Sequence, residues 1–312
     1  MAGYVGIHTQ IARNNRMSVF YLIAFPALVL GAVYAFLFFT MTDERGPDFA
    51  LVNESFLTMA PGVVIVVLLW FLIAYTFHSK IIDSATGAKT LERKTNMRVY
   101  NLVENLCMSE GMTMPKVHII EDPALNAFAS GLSEKSYTVT LTRGIIDKLT
   151  DEELEGVIAH ELMHIRNRDV RLLVITIIFV GIFSFAVQIL FRSMLYGSGR
   201  RNRKDNKGMI IALIIAVVAY FLALIFRFGL SRKREYMADA GAAEMTRNPQ
   251  ALASALRKIS GNYEIKSVKN DDMKEMFIQN HPDSSSGFMG GLEGLFATHP
   301  PIEKRIKVLE EF

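Results

Sequence analysis

Two histidines four positions apart, with a glutamate next to the first, form the pattern in this sequence best suited to chemistry. They occur in the run His160-Glu161-Leu162-Met163-His164. On an α-helix this spacing turns the chain by about 400°, so both imidazoles project from one face, one turn apart. Two imidazoles so placed can chelate one zinc ion at about 2.0–2.1 Å per nitrogen. Glu161 lies about 100° around the helix, where its carboxylate can accept a proton from a metal-activated water.

The residues around this motif predict the helix that the spacing requires. The run Thr150–Glu153 (Thr-Asp-Glu-Glu) is a capping-box signature with acidic residues in the first turn. Apolar residues follow at helical spacing, namely Leu154, Val157, Ile158, Leu162 and Ile165. The short metal motif also occurs by chance on charged helix faces. The capped, periodic helix around it favours a metal site.

A hydrolytic zinc site needs a third protein ligand and an open position. The single cysteine, Cys107, lies in an apolar pattern that favours burial, so histidine and carboxylate must supply the ligands. Glu235 is the preferred carboxylate because its segment begins as the last long apolar run ends, but spacing alone leaves Glu244 and Asp239 as alternatives. Asp239 follows Glu235 by four residues on the same helix face, well placed to accept the second N–H of a zinc-bound histidine.

Apolar sequence is unusually abundant for a soluble protein of 312 residues, since hydrophobic residues make up 51% of the chain. The mean hydropathy is +0.25. Four runs approach the length of about 20 residues that crosses a bilayer, namely Val19–Met41, Pro61–Phe77, Leu172–Phe191 and Met209–Phe226. The first run is longer than the apolar part of a signal peptide, and we expect it to be retained as a membrane helix.

The remaining sequence predicts a polar domain built from two blocks. The first block has a helical pattern over Asn96–Glu110 and short strands over Lys116–Ile120 and Tyr137–Thr142. Ala124–Gly131 is a third strand or an extended turn. The second block begins at Ser231, is helical in pattern through Lys258 and includes a Ser/Gly-rich loop at 284–294.

Charge distribution favours a cytoplasmic location for both polar blocks. The loop between the first two apolar runs is acidic, whereas the N-terminal tail carries Arg13 and Arg16, which indicates a cytoplasmic N-terminus. The loop between the third and fourth runs is basic across 192–207, which opposes an outside location. Either both of these runs span the membrane or neither does, and both cases leave the two blocks on one side.

At these residues the chain resembles the M48 family of zinc metallopeptidases, in particular its HtpX-like branch. The resemblance covers most of the chain, including the two N-terminal membrane segments and the later apolar pair. Its motifs are the metal motif followed by Arg166-Asn-Arg-Asp169, the segment Arg234-Glu-Tyr-Met-Ala-Asp239 and the closing Thr298-His-Pro-Pro-Ile-Glu-Lys-Arg305. The segment Asn126–Gly131 is similar to the strand that precedes the metal helix in that family.

The resemblance implies a mainly α fold, with membrane helices and a zincin-like α+β metallopeptidase domain that contains a small β-sheet. The expected divisions are 1–78 with two membrane helices, 79–169 with the metal motif, 170–230 with a membrane-inserted apolar pair, and 231–312 with the third zinc ligand. The implied function is a bacterial inner-membrane endopeptidase that faces the cytoplasm and degrades misfolded or damaged membrane proteins under envelope stress.

The resemblance also implies roles for individual residues. One Zn²⁺ per chain is expected on His160, His164 and Glu235, with Glu161 as general base. Asp239 and Asp169 are candidates to orient the histidines, and by analogy the edge-strand residues Asn126, Ala127 and Phe128 are candidates to pair with an extended substrate.

Several interpretations stay open. His299 either donates to the developing oxyanion or orders a turn before the last helix, and Arg305 has the same ambiguity. An inert membrane scaffold, a prenyl-protein-processing protease and a transporter are alternative functions. Expected partners are polypeptide substrates and the lipid bilayer. Nucleic acid is not expected because the basic cluster 200–207 has no interleaved aromatic residues, and the oligomeric state is left open.

Overall fold

The structure is a computed structural model that describes residues 7–43, 46–196, 203–228, 233–261, 265, 276–278 and 300–312. The predicted loop at 284–294 and the candidate His299 lie outside the described residues. The helices are α1 Ile7–Met41, α2 Phe49–Thr86, α3 Met97–Ser109, α4 Arg143–Lys148, α5 Asp151–Arg166, α6 Asp169–Tyr196, α7 Arg203–Phe228, α8 Lys233–Thr246, α9 Pro249–Ser260 and α10 Ile302–Glu310. The strands are β1 Thr42–Asp43, β2 Gly46–Pro47, β3 Lys89–Thr90, β4 Lys116–Ile120, β5 Ala127–Ser130 and β6 Thr138–Thr142.

These elements form two compact units. The membrane unit contains residues 17–76 and 175–228, and the polar unit contains residues 7–16, 77–174 and the described residues from 233 onward. The sequence predicted a single N-terminal division over 1–78. In the structure, residues 7–16 of α1 group with the polar unit, and the division over 1–78 stays a prediction.

The membrane unit contains long apolar helices. Four helical stretches are long and apolar enough to cross a membrane, namely Thr9–Met41, Phe49–Thr86, Asp169–Leu195 and Lys207–Ile225. The first three stretches contain the first three predicted apolar runs, and the fourth covers its run except for Phe226, so the prediction of four apolar helices is confirmed. Aromatic rings from three of the helices pack together, with Phe25 stacked on Phe179 at 4.7 Å and Phe71 stacked on Phe179 at 5.5 Å. Many other apolar side chains point outward, for example Leu57 at 70% exposure, as expected of a lipid-facing surface.

The polar unit contains a small mixed sheet with the order β3-β4-β6-β5. Strands β4 and β6 are parallel, and β5 pairs with β6 in antiparallel register with Ala127 opposite Leu141. The two predicted strands are confirmed, and the segment left open between strand and turn contains the strand β5. Strand β3 was not predicted because its Lys-Thr sequence carries no apolar alternation. In the order β3-β4-β6-β5, β5 is the last strand and lies at one edge of the sheet.

Helix α5, which carries the metal motif, begins where the capping box predicted. The Thr150 backbone N–H donates to Glu153 Oε2 at 3.0 Å, and the Glu153 N–H donates to Thr150 Oγ1 at 3.3 Å. The helix packs against α8, α9 and β5. A Cβ at Gly241 on α8 would lie 2.3 Å from Met163 Cε and 2.9 Å from its Cγ. The glycine therefore lets α8 approach the face of α5 that bears the histidines.

Candidate metal centre

Three side chains on α5 and α8 bring potential ligand atoms to one point. The Nε2 atoms of His160 and His164 lie 3.1 Å apart. Glu235, in the first turn of α8, places Oε2 3.7 Å from His160 Nε2 and Oε1 3.6 Å from His164 Nε2. A tetrahedral zinc ion with bonds of about 2.0–2.1 Å holds its ligand atoms about 3.3–3.4 Å apart. The three donors therefore fit one ion of that size.

This cluster distinguishes among the carboxylates that spacing left open. Within the described part of the chain, His160, His164 and Glu235 form the only group of acidic, histidine or cysteine side chains able to hold a metal ion. Glu235 is 4% exposed, whereas Glu244 near the other end of α8 is exposed to solvent. Asp239 lies on the far side of His160 from the point of convergence. The structure therefore brings Glu235 to the histidines and leaves Glu244 outside.

A buried carboxylate holds the second nitrogen of each histidine. His160 Nδ1 lies 2.9 Å from Asp239 Oδ1, and His164 Nδ1 lies 3.1 Å from Asp169 Oδ2. Asp239 and Asp169 are 1% and 3% exposed. Carboxylates in this position fix the tautomer and the ring orientation of metal-binding histidines, so each Nε2 is directed at the same point. The two candidate aspartates therefore lie next to His160 and His164, and their role in orienting metal ligands stays a prediction.

Arg305 on α10 forms a paired contact with Asp239. Its Nε donates to Asp239 Oδ2 at 2.9 Å and its Nη2 to Oδ1 at 2.7 Å, and the side chain is 1% exposed. Burial opposes ionisation of Asp239, but the charge of Arg305 and the hydrogen bond from His160 outweigh it and lower the pKa of Asp239 to about 2. Arg305 is thus a buried counter-ion of Asp239, and its Nη1 also lies 3.7 Å from Glu235 Oε2. Neither of the two roles expected for Arg305 is tested by these contacts.

The candidate general base lies beside the histidines and next to the sheet edge. Glu161 is 3% exposed, and the backbone N–H of Ala129 on β5 donates a hydrogen bond to it. Burial raises the pKa of Glu161 above its ordinary value, while the neighbouring histidines and the Ala129 hydrogen bond act in the opposite direction. The carboxylate is thus held between the two histidines and the strand.

The three residues expected to pair with substrate have partners within the chain. The Asn126 carbonyl accepts a hydrogen bond at 3.1 Å from the N–H of Thr142, the last residue of β6. The Ala127 carbonyl accepts from the Ile278 N–H at 2.8 Å. The Phe128 ring meets Phe277 edge to face at 4.9 Å. Their pairing with substrate stays a prediction, and the residue of β5 that reaches Glu161 is Ala129.

One side chain at this site was missed by sequence reasoning. Asn14 on α1 places its Nδ2 2.6 Å from Asp169 Oδ1, 155 positions away in the sequence. A signal was present, since Gln10 and Asn14 are polar residues one helical turn apart at the start of a long helix. That signal indicates a contact but not its partner.

Comparison with known proteins identifies the family. The family model for Peptidase family M48 matches residues 93–312. The chain belongs to this family. The M48 peptidase is 57% identical to the Protease HtpX homolog of Bacteroides fragilis over 320 residues, which cover 99% of both chains. Proteins of the same name from Dictyoglomus thermophilum and Listeria monocytogenes are 41% and 37% identical, over 80% and 96% of this chain and 81% and 98% of theirs.

Among solved structures, the M48 peptidase is similar to the crystal structure of S. mikatae Ste24p, with a TM-score of 0.49 and 18% identity over 95% of this chain and 66% of that one. The resemblance drawn from the sequence motifs is confirmed by the family match. The chain is an HtpX-type M48 protease with four candidate membrane helices, and it is a membrane protein.

Proposed function

We propose that this M48 peptidase is a zinc-dependent endopeptidase in which Glu161 is the general base. The supporting observation is the convergence of the donors of His160, His164 and Glu235, which all lie within 4.8 Å of one another. Two imidazoles and one carboxylate are a donor set that suits hydrolytic zinc and leaves one coordination position open.

The surrounding residues have complementary tasks in this proposal. Zinc bound here would polarise the scissile carbonyl and make a water molecule more acidic. Glu161 accepts a proton from the attacking water and returns it to the departing amine. Asp239 and Asp169 keep Nε2 of the two histidines directed at the metal, which prevents the rings from turning away between turnovers.

We further propose that the substrates are misfolded or damaged membrane proteins of the bacterial inner membrane, cleaved on the cytoplasmic side. Asp169, which contacts His164, is also the first residue of a candidate membrane span. Only four residues separate His164 from that span in the sequence, so the reaction is expected close to the bilayer surface. Arg13 and Arg16 favour a cytoplasmic N-terminus. A reporter that is active only outside the membrane, fused after Phe312, should be silent.

The decisive experiment compares Glu161→Gln with Glu152→Gln on the same helix. Glu152 is exposed and Glu161 is buried. In detergent-purified protein, Glu161→Gln should abolish cleavage of casein or of a membrane substrate while zinc stays bound, because the base is lost and the ligands remain. Glu152→Gln should cleave like the unmodified protein. Cleavage by Glu161→Gln at the unmodified rate would refute the role assigned to this carboxylate.

A further inference from the structure

The start of α1, residues 7–16, is part of the polar unit and not of the membrane unit. The helix has 35 residues, which is more than the approximately 20 that a bilayer requires. Residues 7–16 group with the polar unit. Gln10 and Asn14, one helical turn apart, are 4% and 3% exposed, so one face of this segment is buried. Buried amides of this kind are hydrogen-bonded, and the partners of Asn14 identify what the segment contacts.

Asn14 contacts the carboxylate that holds His164. Its Nδ2 donates to Asp169 Oδ1 at 2.6 Å and to the Asn167 carbonyl at 2.8 Å. The other oxygen of Asp169, Oδ2, lies 3.1 Å from His164 Nδ1. One oxygen of Asp169 therefore faces the N-terminal segment and the other faces the metal ligand. A rotation of the carboxylate would break both contacts together.

The same segment contacts the turn between α5 and α6 at a second point. Arg168 Nη1 donates to Asn15 Oδ1 at 3.1 Å. Arg168 has a φ of 60°, a left-handed conformation that is unfavourable for a residue with a side chain. Asn14 and Asn15 thus both contact the strained turn that lies between His164 and Asp169. The Asn15 contact does not involve Asp169, which makes Asn15 a matched control for Asn14.

We propose that Asn14 is a positioning residue of the metal centre, which fixes Asp169 and, through it, the orientation of His164. The inference rests on the proposed zinc site and adds one residue of α1, Asn14, to the side chains that hold that site. Loss of an outer partner of a metal ligand typically weakens metal affinity or activity by about 10–100-fold. Asn14 contacts Asp169 and not His164 itself, so we expect Asn14→Ala to weaken zinc binding by about 10-fold, at the lower end of that range.

The test uses the full chain in detergent, with zinc affinity measured by competition against a chromophoric chelator. Asn14→Ala and the nearly isosteric Asn14→Leu should both bind zinc more weakly and lower kcat/KM, whereas Asn15→Ala should retain the unmodified zinc affinity. The Leu variant fills the volume of the amide, so a shared defect of both variants is due to the lost donor and not to a cavity. Unmodified zinc affinity in both Asn14 variants would overturn the inference.

A second measurement separates positioning from general support of the fold. In an Asp169→Ala background, Asn14→Ala should change zinc affinity by less than about twofold, because Asn14 acts through Asp169. A full tenfold loss in that background would show an independent structural effect and would refute the inference.

The failure of the zinc site itself is distinguishable from failure of this inference. If the unmodified protein binds no zinc in the same competition assay, the proposed function is wrong and the role of Asn14 is wrong with it. If the unmodified protein binds zinc and both Asn14 variants bind it equally well, only the role of Asn14 is wrong.

Discussion

Arg305→Met tests whether the buried pair behind His160 holds the site together. Methionine retains a long flexible stem but removes the charge, so the carboxylate of Asp239, which is 1% exposed in the unmodified protein, loses its counter-ion. In the intact pair the pKa of Asp239 is lowered from 3.8 to about 2. At about 1.36 kcal/mol per unit of pKa, this corresponds to about 2 kcal/mol in favour of the folded state at neutral pH. This pKa is the net result after burial has acted to raise it. Removing Arg305 leaves the burial effect uncompensated, so it should destabilise the fold by more than this, about 3–5 kcal/mol.

Thermal unfolding of chelator-treated protein in detergent, followed by circular dichroism, measures this cost without a contribution from metal. In a domain of about 150–250 residues, each kcal/mol of destabilisation lowers Tm by about 2–4 °C. The expected loss of about 3–5 kcal/mol should therefore lower the Tm of Arg305→Met by about 6–20 °C at pH 7. A carboxylate with a depressed pKa stabilises the fold above its unfolded pKa of 3.8, and that contribution is lost as the pH falls towards 2. The difference in Tm should therefore shrink below about pH 4.

The double variant Asp239→Asn with Arg305→Met is the control for packing. It removes both charges, so its Tm should recover most of the loss, because the destabilisation comes from an uncompensated buried carboxylate. A single variant that melts within 2 °C of the unmodified protein, or a double variant that melts as low as Arg305→Met, would contradict this reasoning.

Two further outcomes are expected at the metal ligands. Glu235→Ala should lose stoichiometric zinc in metal analysis. Glu244 is exposed to solvent, so the control variant Glu244→Ala should retain zinc. Survival of zinc and activity in Glu235→Ala would place the third ligand elsewhere. Burial acts to lower the pKa of His164, but the carboxylates of Glu235 and Asp169 raise it to about 10 in the metal-free protein. Zinc must displace that proton, so zinc affinity measured by chelator competition should rise steadily from pH 6 to pH 9, and a flat profile would show that His164 is already neutral in this range.

Local signals in the sequence were sufficient to predict the elements that carry the site. The capping box at Thr150 and Glu153 gave the start of α5 to the residue, because both hydrogen bonds form within one turn. The i, i+4 relation placed Asp239 on the same helix as Glu235, and the structure brings both to His160. Signals of this kind depend on a few neighbouring residues and need no knowledge of the tertiary fold.

Contacts between distant segments were not predictable in the same way. Arg305 lies 66 positions after Asp239, and its side chain could be assigned either to a turn or to the site until α10 was placed beside α8. The residues expected to bind substrate on β5 are a similar case, since the Ile278 N–H occupies the Ala127 carbonyl. Neither contact follows from composition, periodicity or spacing, because each depends on how separate parts of the chain pack.

The order of the chain has a consequence for when the centre matures during translation. His160 emerges from the ribosome 145 residues before Arg305, and α6 and α7 are made in between. At about 5–20 residues per second, this interval is about 7–30 s. Until Arg305 emerges, Asp239 lacks its buried counter-ion and His160 is incompletely held. We therefore expect the nascent enzyme to remain inactive until Arg305 has emerged from the ribosome.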